Sequence, residues 1–177
     1  MKATRVLSLA LALSLCACAS TNGGSRDAHG AGAKHFERMK SLEGHWVSAA
    51  PAPADSGGGM LAVDYHVVAA GSALEERLFP GTPHEMVTMY HLDGDELVLT
   101  HYCAMGNQPR MRAAENPDGS LTFTCFGGSN YDCRIDPHMH QGVFTIIDRD
   151  HLRTSWTSVN TNEDPPGITF ELVRANR

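Results

Sequence analysis

Apolar and polar residues alternate with a period of two over most of the chain, in short runs broken by Gly, Pro, Asp and Asn. "HWVSA", "MLAVDYHVV", "ALEERLF", "MVTMYH", "ELVLTHYC", "PRMRAA", "SLTFTCF", "GVFTII", "HLRTSW" and "ITFELVR" each read as a strand. Asp-Gly in "LDGD" and the Pro/Asp/Gly cluster in "ENPDG" are hairpin-turn signals between successive runs. A meander of about ten strands closes on itself to remove its edges, so the expected fold is all-β, an antiparallel up-and-down barrel. One helical period precedes it. "KHFERMKSL" spaces Phe36, Met39 and Leu42 three apart on about two turns, which predicts a short helix against one end of the barrel. The segments 50–59 and 127–138 are too long for hairpin turns and are expected at the open mouth.

Before this lies a different kind of sequence. Lys2 and Arg5 are followed by an uncharged run from Val6 to Leu15, the n-region and h-region of a secretory signal, too short to span a membrane. "LCAC" resembles a bacterial lipoprotein cleavage box, with Ala17 before the cut and Cys18 receiving the lipid; Cys16 follows the bulky Leu15 and suits the cut less well. Ala19 in the next position matches sorting signals for the outer membrane. The expected organisation is therefore a leader over 1–17, a small-residue tether over 18–33 reaching about 20 Å, and one domain over 34–177. The membrane is met through the lipid anchor only, on the periplasmic side of the envelope.

The chain has 177 residues and a formal net charge of −6, and loss of Lys2 and Arg5 with the leader takes it to −8. Lys34 and Lys40 are then the only lysines, and no basic run follows, which argues against nucleic acid as a partner.

Gly44-His45-Trp46 opens the first strand directly after the helix, and "ELVR" closes the last with Arg174. This order resembles the calycins, the lipocalins and fatty-acid-binding proteins. The resemblance implies that Trp46 packs under Arg174 as a cation–π pair at the barrel end. "MVTMYHLDGDELVLTHYCAMGNQPRM" is similar to a group of bacterial lipocalin-like lipoproteins, for which the likeness implies a fold and no activity. Trp46 is followed by "VSAAPAP" rather than the Gly-x-Gly-x-Gly of a related haem-binding barrel family, so haem is not carried over.

Candidate chemistry sits on these strands. Alternation places Leu97, Leu99, His101 and Cys103 on the inward face and Tyr102 outward. His138 and His140, two apart, are expected on one face, and with His101 would make a three-histidine site for zinc or iron. Such an ion could activate water for a hydrolase or hydratase, with Glu75, Glu76 or Glu85 as general base. The alternative is two imidazoles lining a polar loop. No Gly-x-Ser-x-Gly elbow is present, and a cysteine two residues from a histidine on a strand lacks the geometry of a thiol–base pair.

Of the domain's cysteines, Cys125 and Cys133 are the pair within disulfide reach, leaving Cys103 as a buried thiol; the alternative is that all three stay reduced. Asn107, Gln108 and Arg110 follow the His101 strand and suit a polar head at the rim, or else an ordered turn. Tyr90 and Trp156 are expected as core that also lines a hollow interior. Together these residues predict binding of a small hydrophobic or amphipathic molecule inside the barrel. The other readings are a metal-dependent enzyme and an envelope interaction protein with a filled barrel.

Overall fold

The computed structural model describes residues 30–50, 62–162 and 167–175. The leader, the lipidation site Cys18 and most of the 50–59 loop lie outside the described residues. Helix α1 (Ala31–Lys40) is followed by β1 (Gly44–Ser48), β2 (Ala62–Val68), β3 (Ala73–Leu78), β4 (Met86–Asp93), β5 (Glu96–Tyr102), β6 (Gln108–Glu115), β7 (Leu121–Ser129), β8 (His138–Ile146), β9 (His151–Val159) and β10 (Gly167–Arg174). Each strand pairs antiparallel with the next, and β1 closes the ring on β10, with Trp46 opposite Arg174. This is a closed ten-strand antiparallel barrel with one short helix, consistent with a calycin-like barrel. No described helix is long and apolar enough to cross a membrane.

Strand alternation fills the interior. Val63, Tyr65, Leu74, Leu78, Tyr90, Leu97, Leu99, Met111, Leu121, Phe123, Phe144 and Leu152 form one core with Trp46 and Trp156. Tyr90, Phe123 and Phe144 meet edge to face, with centroids 5.4–6.1 Å apart. Aromatic rings therefore plug the barrel interior.

Helix α1 stops one end. Phe36, Met39 and Leu42 reach the core, each burial contributing about 1.5–3 kcal/mol. Arg38 and His35 meet Glu115 in the β6–β7 turn, and Arg38 also donates to the Gly119 carbonyl. The helix starts at Ala31, inside the segment expected as tether. The reason is packing: Gly32 lies so close to the β4–β5 turn that a Cβ there would stand 2.0 Å from the Asp95 carbonyl oxygen.

The opposite end is the mouth. There the loop expected from Gly127 is shorter, because β7 continues to Ser129. Gly128 allows this: its partner β6 approaches so closely that a Cβ would meet the Gln108 carbonyl at 2.5 Å.

Candidate functional site

Four inward residues form a row across four neighbouring strands. Tyr65 stands opposite Glu76, Glu76 opposite Thr88, and Thr88 opposite His101. Tyr65 and Tyr90 each donate a hydroxyl to Glu76 at 2.7 Å, and Thr88 adds a third side-chain bond. Burial nonetheless raises the Glu76 carboxyl above its ordinary pKa, the hydroxyl donors opposing it. Both tyrosines are raised well above 10, first by burial and then by the Glu76 charge.

Thr88 Oγ1 also lies 2.9 Å from His101 Nδ1. With Thr88 donating to Glu76, Nδ1–H of His101 donates to Thr88, and Nε2 is left as an acceptor. Burial lowers the His101 pKa to about 4, so the ring is neutral at pH 7. Its face lies against Trp156, with centroids 5.4 Å apart.

The inward and outward split of β5 is as the alternation predicts: His101 is 2% exposed and Tyr102 50%. Cys103 is half-buried, and burial raises its thiol pKa. That keeps it protonated and disfavours a nucleophilic role.

At the mouth, Asn107 Nδ2 donates to the Pro137 carbonyl at 2.8 Å, tying the β5–β6 turn to the β7–β8 loop. Gln108 Oε1 accepts from Asn130 at 2.6 Å, which makes it a loop brace. Arg110 lies on the opposite face from the buried Pro109 and Met111, its guanidinium carbon 5.2 Å over the exposed Phe126 ring, on the outer side of the rim. Tyr90 is core, as expected, and its hydroxyl belongs to Glu76.

His140 is the extra residue at a register shift between Met139 and Gln141, where β8 bulges against β9, and His138 lies two residues before it. Their rings stand 5.6 Å apart. His138 Nδ1 lies 2.9 Å from the Asp136 carbonyl, and its ring tilts over Tyr131 at 4.5 Å. Because a carbonyl only accepts, Nδ1 carries the proton and Nε2 holds a lone pair.

The residue beside this pair is not His101. His101 is engaged by Thr88 and Trp156, and the third potential ligand is Cys125. The Cys125–Cys133 disulfide is also corrected: all three cysteines are free thiols. Cys133 is exposed, whereas the Cys125 sulfur turns to Tyr131, 3.1 Å from its hydroxyl.

Six buried side-chain polar atoms among the described residues find no hydrogen-bond partner: His101 Nε2, Asn107 Oδ1, His138 Nε2, His140 Nδ1, Trp156 Nε1 and Thr161 Oγ1. Tyr65, Glu76 and Thr88 satisfy one another, whereas His101, at the end of their row, keeps Nε2 without a partner. Stranding a buried polar group costs about 1–3 kcal/mol, so six such atoms, three of them on His101, His138 and His140, mark a place shaped for something else.

Sequence reasoning left two parts of this site unread. Glu76 was one of three interchangeable carboxylates; yet Leu74, Glu76 and Leu78 share the inward face, while Glu75 and Glu85 pair with Arg77 outside. The alternation of "ALEERL" held that signal. Tyr131, in an irregular loop, had none. The site defines the protein as a filled antiparallel barrel with an unsatisfied polar mouth. No protein-family model matches the chain, and no curated protein matches it significantly.

Proposed function

We propose that this protein is an envelope lipoprotein, anchored through Cys18, whose barrel is calycin-like and binds a small amphipathic molecule at its mouth. The six unpartnered polar atoms carry the reading, since a ligand's polar head supplies partners that the protein withholds. The offered chemistry is specific. Neutral His101 presents an acceptor at Nε2 and Trp156 a donor at Nε1, so the head needs one donor and one acceptor. Tyr102, Met105 and Ile135, all exposed on or beside the mouth loops, suit an apolar tail lying across the rim. The interior below is plugged, so the binding site is shallow.

Native mass spectrometry of the full chain, purified without chelator, tests this. An added organic mass is expected in the wild type, depleted in H101A and in W156F. A bare mass, together with no uptake of a fluorescent amphiphile, sinks the proposal. The same apolar rim favours a second reading, an envelope interaction protein, which predicts a crosslinked protein partner lost on Ile135→Glu.

A further inference from the structure

We infer that Cys125, His138 and His140 form a site for a thiophilic divalent transition ion, for which Zn2+ is the best match. The donor atoms of the three side chains all lie within 4.8 Å of one another. Tetrahedral zinc, with bonds of about 2.3 Å to sulfur and 2.0–2.1 Å to nitrogen, needs donors roughly 3.3–3.6 Å apart. Donor shifts of roughly an ångström would close the set.

The two imidazoles are prepared for this. His138 Nδ1–H is spent on the Asp136 carbonyl, which leaves Nε2 as the lone pair, the outer-shell arrangement that orients metal-bound histidine. Nε2 is buried without a partner, as is His140 Nδ1. Asn160 donates to the same Asp136 carbonyl at 3.2 Å, and Asn107 holds neighbouring Pro137, so the segment leading into His138 is fixed from two sides. Tyr131 joins the halves by stacking on His138 and meeting the Cys125 sulfur.

One thiolate with two imidazoles is a borderline-soft set that suits zinc better than calcium or magnesium. Binding exchanges the Cys125 S–H bond for S–Zn and releases one proton to solvent, with no change of oxidation state. Three protein donors leave a fourth position for water or another small donor. The inference takes His138 Nε2 and His140 Nδ1 from the six unpartnered atoms and leaves those of His101, Asn107, Trp156 and Thr161 to the ligand reading, so the two can fail separately.

The full chain, reduced and stripped with chelator, is titrated with Co2+ as a spectroscopic stand-in and then with Zn2+. One Co2+ per chain is expected, with a thiolate charge-transfer band in the near ultraviolet that Zn2+ abolishes. C125S should lose that band and C133S should keep it. H138Q and H140Q should each weaken Co2+ binding roughly tenfold or more, and H101Q should leave it unchanged. Thermal unfolding of each stripped variant shows that the fold survives. No stoichiometric binding by the wild type, or a band that persists in C125S, overturns the inference. An organic mass lost in H101A while Co2+ binding is intact, or the reverse, separates its fate from that of the ligand reading.

Discussion

The guanidinium of Arg174 lies over the indole of Trp46, its central carbon 4.3 Å from the ring centroid. Arg174 donates to the carbonyls of Ser41, Glu43 and Arg149, while Trp46 Nε1 donates to Leu42. Gly44 makes room: a Cβ there would stand 2.8 Å from the Arg174 Nη1, on a backbone at φ +135. The first and last strands, the helix exit and the β8–β9 turn are thus fastened at one point.

Arg174→Ala removes the cation–π contact and leaves three carbonyls with one fewer donor. A loss of about 2–3 kcal/mol is expected, read as a lower urea midpoint at unchanged slope. Arg174→Lys keeps the charge without the planar fork and should fall between the two. An R174A midpoint equal to wild type rules out a seam-closing role.

This seam was expected only through the calycin resemblance carried by Gly44-His45-Trp46 after the helix and Arg174 in the last strand. The ten strands were legible because turn residues punctuate them. The Cys125–His138–His140 grouping was not readable, because β6–β7 shifts register at Arg110/Met111 and β8–β9 at Met139/Gln141. A bulge breaks the period-two rule on which facing assignments depend.

Glu76 gives a prediction of opposite sign to most carboxylates. Its folded pKa is raised above 4.5, so the native state binds the proton more tightly than the unfolded chain. That contribution to stability is complete below the unfolded value and is lost as pH rises through the folded one. Glu76→Gln should flatten this loss, leaving a variant at least as stable relative to wild type at pH 7 as at pH 4. Glu76→Leu strands the buried hydroxyls of Tyr65 and Tyr90, at roughly 1–3 kcal/mol each, takes one of Thr88's two partners, and should be severely destabilised. Urea titrations of both variants across this range check it; a Leu variant as stable as the Gln variant contradicts the role of the three hydroxyls.

His101 sets the acid limit of the barrel. Its pKa falls from 6.5 unfolded to about 4 folded because the charged ring is desolvated beside Trp156. The folded state therefore binds fewer protons between those values, so the stability it contributes is fully present above pH 6.5 and is lost as pH falls toward 4. At about 1.4 kcal/mol per unit, the wild type should lose about 3 kcal/mol over that interval through this residue alone. His101→Phe fills a similar volume against Trp156 and cannot titrate. Glu76 is retained in both proteins, so the difference between their urea stabilities at pH 7 and pH 4 isolates the imidazole. Parallel curves would mean that His101 takes up its proton in the folded barrel as readily as in water, and that the neutral acceptor assigned to it at the mouth does not exist.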